Sequence, residues 1–314
     1  MEVKFSIISA TYNRPEYLKR MIKSVVQQSY KNFELIIVDD NSSYDNNINN
    51  KNVIESFCDD RIKYIHLRKN KKQCHARNIG LKVCSGNWIR YLDDDDYLLY
   101  NSLQEYYDFI VKNPNKKVFT TKYLCNNDIE GINFNQIENI FDNWNVDTCC
   151  IIHHIDCYKK LGGWKENLQV ADDYEFILRY VISYKKEYGF IDKVLAKFDF
   201  DESNSYLSNK NLNCISSMNY IYNEFCEYNK IMKLLIINVD EQKLIKCLYD
   251  LKCFFKIDLK SKIEKADLNW YDYIYIYHDG SLLKNIVNLT YHNDIKTQIH
   301  EKEMWINNKK RTIK

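Results

Sequence analysis

From residue 3 onward the chain alternates short apolar runs with amphipathic stretches, and this alternation constrains its fold more than any other feature. Residues 5–9 read as a buried strand. Asn13 is positioned to cap a following helix, and Pro15 falls in its first turn, where a missing N–H does no harm. Leu18, Met21, Ile22, Val25 and Val26 then recur at helical spacing and form one apolar face. Residues 33–38 read as a second strand, apolar apart from Glu34, which ends on Asp39-Asp40. Residues 62–67 read as a third strand and 76–84 as a short helix. Residues 88–92 form a fourth strand that runs straight into Asp93-Asp94-Asp95-Asp96. Strands separated by helices in this way predict an α/β sheet with crossover helices.

The pattern continues with a helix over 102–111 and a strand over 118–121. Residues 125–147, rich in Asn and Asp, read as a mobile excursion outside the core. A strand over 150–152 leads to Leu161-Gly162-Gly163-Trp164, and a helix follows over 172–183. Past residue 205 the character changes. A helix over 215–228, a strand over 234–239, a helical stretch to 255 and a strand over 273–277 predict a small β-α-β unit. Lys309-Lys310-Arg311 reads as a solvated terminus. The expected division is a first domain over 1–205 and a smaller helical or α/β extension over 206–314.

Composition narrows the function. The 45 basic and 43 acidic residues leave a net charge of +2, so nothing suggests the strongly basic face of a nucleic-acid binder. With 7 glycines and 2 prolines the chain should be rich in regular elements. The 11 cysteines are odd in number, no C-x-x-C occurs and no secretory segment opens the sequence. Free thiols in a reducing cytoplasm are therefore expected. Cys149, Cys150, Cys157, His153 and His154 invite a zinc reading, but their spacing matches no standard ligand pattern. No apolar run is long enough to span a membrane. Peripheral membrane contact stays open.

The chemistry is carried by acids at strand carboxyl ends. Asp39 and Asp40 follow the second strand, and Asp93 to Asp96 follow the fourth. In an open α/β sheet this edge is where ligands bind. Carboxylates gathered there repel one another unless a cation joins them, and a Mg²⁺ or Mn²⁺ carrying a diphosphate would do so. A solvated acidic loop is the plain alternative.

Five blocks occur in order: Ser6-Ile-Ile-Ser-Ala-Thr-Tyr-Asn13, Glu34-Leu-Ile-Ile-Val-Asp-Asp-Asn-Ser42, Ala76-Arg-Asn-Ile-Gly-Leu81, Ser85-Gly-Asn-Trp-Ile-Arg-Tyr-Leu-Asp-Asp-Asp-Asp96, and Leu161-Gly-Gly-Trp164 through Ala171-Asp-Asp-Tyr-Glu175. Over about residues 3–200 the chain resembles the family 2 glycosyltransferases of the GT-A fold. The resemblance implies a Rossmann-like mixed sheet flanked by helices. It also implies a metal-dependent inverting enzyme that moves a hexose or N-acetylhexosamine from a UDP-sugar to a glycan hydroxyl.

By the same resemblance, Thr11, Tyr12, Asn13 and Arg14 surround the nucleotide, with Tyr12 against the base. Asp40 accepts from uracil N3–H, and Asp39 is structural or ribose-facing. Arg77, paired with Asn78, neutralises phosphate or orients an acid. Asp93 and Asp95 match the outer positions of a D-x-D motif. Asp95 meets the metal, Asp93 meets the ribose or a metal-bound water, and Asp94 contributes beside them. Asp173 matches the general base, preceded by Asp172 where the family usually has Glu. His153, His154 and His278 are candidate extra metal ligands. The implied partners are a UDP-sugar and an oligosaccharide or lipid-linked acceptor of bacterial surface polysaccharide, lipooligosaccharide or glycoprotein assembly. That setting implies a cytoplasmic enzyme, at or near the inner face of the membrane.

Three rivals are weighed. A nucleotidyltransferase would show a Gly-rich basic loop after the first strand, whereas Thr11-Tyr-Asn-Arg-Pro15 stands there. A phosphatase with an aspartate nucleophile would have its paired acids after that strand. A non-catalytic sugar-binding or scaffold relative would be expected to lack Asp95 or Asp173, and both are present.

Overall fold

A computed structural model describes residues 2–126, 128–135, 147–168 and 171–198, together with five short backbone strands between 233 and 307. The chain forms two compact units, and almost all described residues up to Phe198 belong to the first. That unit runs β1 (Phe5–Thr11), α1 (Pro15–Val26), β2 (Phe33–Asp39), α2 (Tyr44–Glu55), β3 (Ile62–His66), α3 (Lys72–Val83), β4 (Trp88–Tyr91) and β5 (Asp96–Leu98). It continues with α4 (Ser102–Lys112), β6 (Val118–Cys125), β7 (Asp128–Glu130), β8 (Ile151–His154), α5 (Ile155–Leu161), α6 (Asp172–Ser183) and β9 (Tyr188–Phe198).

The strands make one mixed sheet in the order β3-β2-β1-β4-β8-β6-β9-β5, with β7 paired to β6. β1 pairs in parallel with both β2 and β4, and β2 with β3. β8 then runs antiparallel to β4 and to β6. Chain order steps one way from β1 through β3 and the other way to β4, so the topological switch point lies between β1 and β4. Every residue of β2 and all but Ala10 of β1 are buried, as a parallel sheet covered on both faces requires.

The helix α1 lays Pro15, Leu18, Met21, Ile22 and Val25 on the sheet. At about 1.5–3 kcal/mol per fully buried large aliphatic side chain, this face secures the helix. The helix α3 sits closer still, because a Cβ at Gly80 would overlap the Ile8 side chain. Only glycine permits that approach, and it brings Arg77 of α3 down to the sheet edge. Asn13 does not cap α1. It sits at φ 57°, and its side chain instead accepts from the Ser43 N–H at 2.8 Å and from Asn46 at 3.1 Å. The loop after β1 is thereby tied to the start of α2, a helix with almost no apolar face.

Glu34, the polar interruption in β2, is a hub at the opposite, amino end of these strands. Its Oε1 accepts from the Ser6 hydroxyl at 2.5 Å and from the Ser85 N–H at 2.5 Å, and its Oε2 pairs with Lys63 at 2.6 Å. Burial alone would raise its pKa, but these donors outweigh burial and lower it from 4.5 to about 2. A carboxyl whose folded pKa is depressed stabilises fully above its unfolded value and loses that contribution as pH falls through the folded one. Glu34→Gln should therefore cost about 2–4 kcal/mol at neutral pH. It should also flatten the acid-side fall in stability between about pH 4.5 and 2, read by thermal unfolding across that window.

Residues 125–135 differ from the expected excursion. β7 folds back on β6, and Ile132 and Phe134 are buried, with Phe134 edge-on to Tyr188 at 5.9 Å. Gly131, directly after β7, sits at φ 122° with the Thr121 carbonyl too close for a side chain. Residues 136–146 lie outside the described residues.

The second unit contains β10 (Lys233–Ile237), β11 (Lys256–Lys260), β12 (Tyr273–Tyr277), β13 (Lys296–His300) and β14 (Glu303–Asn307), in the order β11-β10-β12-β14-β13. β10 and β12 pair in parallel, as the expected β-α-β unit requires. The strands β11, β13 and β14 were not expected from the pattern. The helices expected over 215–228 and up to 255, the tail at 309–311 and His278 lie outside the described residues.

Candidate active site

The loops at the carboxyl ends of β1, β2 and β4 converge at the switch point. Thr11, the last residue of β1, donates its hydroxyl to Asp94 Oδ2 at 2.7 Å. After β4, residues 93–96 make a tight turn closed by the Asp96 N–H on the Asp93 carbonyl at 3.1 Å. Asp94 and Asp96 are buried, whereas Asp93 and Asp95 are half-buried. The run is therefore no solvated loop, and its two partly open members are the outer D-x-D positions.

The two acids after β2 are held differently. Asp39 serves the scaffold: Oδ1 accepts from the Ser42 N–H at 2.7 Å, and Oδ2 accepts from Asn50 at 2.8 Å and Tyr64 at 2.5 Å. Asp40 caps α3 from a distance, accepting the Lys71 and Lys72 N–H groups at 2.8 and 2.7 Å. A carboxylate offers about four acceptor sites, so this leaves Asp40 capacity for a ligand donor. Tyr12 is 48% exposed beside this loop.

Three arginines reach the acids. Arg14 donates to Asp95 Oδ2 at 2.8 Å and to Asp94 Oδ1 at 3.3 Å, and Arg20 donates to the Asp95 carbonyl. Arg77, 2% exposed, gives one nitrogen to both oxygens of Asp93 at 2.6 and 2.9 Å and the other to Asp172 at 3.0 Å. The Trp164 ring lies 4.3 Å from its guanidinium. Its fork is spent on two acids, which makes Arg77 a strut between the turn after β4 and the start of α6. Asn78 is likewise structural, exchanging hydrogen bonds with Trp164 N–H and O at 2.8 and 2.9 Å.

At the N-terminus of α6, Asp172 is buried and receives Arg77, Gln73 and the Cys74 thiol. Asp173 is half-buried, and its carboxylate accepts its neighbour Tyr174 N–H at 2.7 Å. Burial, with repulsion from Asp172 and Asp147, pushes Asp173 up to about 8. Burial and Asp95 push Asp94 up to about 7, and burial and Asp93 push Asp147 up to about 6. Asp95 is raised as well, by burial and Asp93. Four neighbouring acids are thus held up by burial and by one another, and a hard divalent cation is the kind of charge they fit.

Asp147 is the site residue that sequence reasoning missed, because it lay at the end of the supposed excursion. β8 runs antiparallel to β4, so the residues before Ile151 pass the residues after Tyr91. This brings Thr148 Oγ1 to Asp93 at 3.1 Å and Asp147 in among the acids. The histidine expectations fail on packing. His153 is fully buried against the rings of Tyr91, Phe176 and Tyr180, bonds the Tyr91 hydroxyl at 3.2 Å, and is pushed down to about 3 by burial. His154 caps α5 and pairs with Asp156 at 3.2 Å. Neither histidine joins the acidic cluster, and the five-residue zinc reading assembles no site among the described residues. All seven described cysteines are free thiols.

A mixed sheet of this order, with its acids gathered at the carboxyl edge of the switch point, defines a GT-A-type fold. The chain belongs to glycosyl transferase family 2, whose family model matches residues 6–179. It is 43% identical over 104 residues, 32% of each chain, to the GalNAc(5)-diNAcBac-PP-undecaprenol beta-1,3-glucosyltransferase of Campylobacter jejuni. It is 34% identical over 122 residues to the UDP-Glc:alpha-D-GlcNAc-diphosphoundecaprenol beta-1,3-glucosyltransferase WfgD of Escherichia coli, covering 39% of this chain and 47% of that one. In fold it is similar to S. aureus TarS 1-349 in complex with UDP-GlcNAc, with a TM-score of 0.54 and 21% identity over 71% of this chain and 66% of that one. The chain spans 16% and 18% of the length of two Rickettsia glycosyltransferases it matches, and 54% of one from Haemophilus influenzae.

Proposed function

We propose that the chain transfers a hexose or N-acetylhexosamine from a UDP-sugar to a glycan hydroxyl with inversion, using Mn²⁺ or Mg²⁺. The observation that carries this reading is the half-open pair Asp93 and Asp95 on the turn after β4, linked through buried Arg77 to the N-terminus of α6, where Asp173 stands. Bound at Asp95, the cation would neutralise charge on the departing nucleoside diphosphate. Asp40 would accept from the uracil N3–H, and Thr11, Tyr12, Asn13, Arg14 and Asp94 would line the nucleotide. Asp173 would take the proton of the acceptor hydroxyl, which attacks the anomeric carbon from the face opposite the diphosphate in one displacement. Orientation and fixed charge supply the rest of the acceleration.

The Campylobacter and Escherichia relatives support a lipid-linked acceptor, since both are named for an undecaprenol diphosphate. Such an acceptor would place the reaction at the inner face of the membrane. Among the described residues no helix is long and apolar enough to cross one. In this reading, residues 1–205 bind the donor and perform the transfer, and 206–314 are an extension. Calorimetric titration with UDP, CDP and GDP, first with Mn²⁺ and then with chelator, tests it. Metal-dependent preference for UDP is expected. Absence of binding by all three would favour a non-catalytic relative.

A further inference from the structure

The same turn that offers Asp93 and Asp95 outward sends Asp96 inward, where its carboxyl oxygens have no hydrogen-bond partner. We propose that Asp96, Asp147 and Cys149 form a second, inner site for a transition-metal dication of the Zn²⁺ or Co²⁺ class, separate from the outer position at Asp95. One ligand atom from each residue comes within 4.8 Å of the other two. Asp96 is 1% exposed, and neither of its carboxylate oxygens has a hydrogen-bond partner. A buried carboxyl with no hydrogen-bond partner calls for an explanation in a native fold. The buried cation of this core, Arg90, lies near enough to favour the ionised Asp96, yet no hydrogen bond joins the two. It donates to the Tyr106 hydroxyl and to the Cys149 carbonyl at 2.6 Å.

The three groups are already anchored. Asp96 opens β5, and Asp147 and Cys149 flank the start of a 3-10 turn over Thr148–Cys150. The Cys149 N–H donates to Asp147 Oδ1 at 2.8 Å, an outer contact that holds a carboxylate in place for a metal. Ligand atoms around a tetrahedral ion with bonds of about 2.0–2.3 Å lie roughly 3.3–3.8 Å apart, so the cluster needs a contraction of about 1 Å. A thiolate among two carboxylates favours a borderline ion over Mg²⁺. On binding, the sulfur–metal bond forms as the Cys149 S–H proton passes to solvent. The fourth position falls to water. The inference does not depend on the donor nucleotide or on Asp173.

The test is titration of the full chain with Co²⁺, following the near-ultraviolet thiolate-to-cobalt charge-transfer band and the binding stoichiometry. Wild type and Asp95→Ala should both develop the band. Cys149→Ser, nearly isosteric, should lose it, and Asp96→Asn should weaken Co²⁺ by about 10–100-fold. Near-ultraviolet circular dichroism and the melting temperature verify that each variant is folded. Three results would overturn the inference: no band in wild type, a band undiminished in Cys149→Ser, or a band lost in Asp95→Ala. The first needs no variant at all. The last would mean a single shared site.

Discussion

Asp173→Asn is expected to lower kcat by about 10²–10⁴-fold, the span of a positioned general base, while UDP affinity stays within about twofold of wild type. The amide keeps the shape of the acid and can still accept the Tyr174 N–H, so α6 has no reason to unwind. What disappears is the proton acceptor. A second signature separates lost chemistry from lost fold. Burial and the charges of Asp172 and Asp147 push the Asp173 carboxyl up to about 8. An acid whose folded pKa is raised binds protons more tightly folded than unfolded, so its contribution falls as pH rises. The neutral amide removes that penalty, and Asp173→Asn should melt at or above the wild-type temperature at alkaline pH. For the same reason wild-type kcat should climb with pH as the base ionises, and the residual rate of the variant should not. Steady-state release of UDP, run beside calorimetry and thermal unfolding, reads all three. Retained turnover would remove Asp173 from the base role.

Asp95→Ala should weaken Mn²⁺-dependent UDP binding by at least about tenfold and leave the metal-free affinity nearly unchanged. Arg14 loses its 2.8 Å partner in this variant but keeps Asp94, so the loop after β1 should hold its place. Removing one acid also relieves repulsion on Asp94, which argues against unfolding as the cause of any loss. Paired calorimetry with Mn²⁺ and with chelator decides the matter. Identical UDP affinities for wild type and variant under both conditions would mean that Asp95 meets no nucleotide-bound cation.

Much of the first unit was legible because local pattern and tertiary demand agree there. β1, α1, β2 and β4 follow from apolar runs and one helical stripe, and α6 spans the expected Asp172–Ser183. The acids after β2 and β4 were placed at the ligand edge by the carboxyl-end rule alone. What stayed hidden is held together across the chain. The helix α2 buries only Asn50, whose amide serves Asp39, so no periodicity announces it. Asn13 has the residue type of a cap, yet a left-handed backbone and partners thirty or more residues away redirect it. Asp147 looked like part of a polar surface loop because its neighbours are Asn and Asp. Its place among the acids comes from the antiparallel pairing of β8 with β4, which no local signal encodes. His153 is the reverse case: a residue type suited to metal binding, consumed by an aromatic core.

Glu34's grip on the Ser85–Gly86 turn fixes where β4 begins, and the parallel register of β4 against β1 fixes where it ends. The acidic run is thus indexed from its far end, like a ruler clamped at its zero mark. A one-residue deletion among residues 85–92 would present Asp94 and Asp96 where Asp93 and Asp95 now stand, and a one-residue insertion would bring Leu92 and Asp94 there. This short stretch can therefore admit substitutions but no change of length.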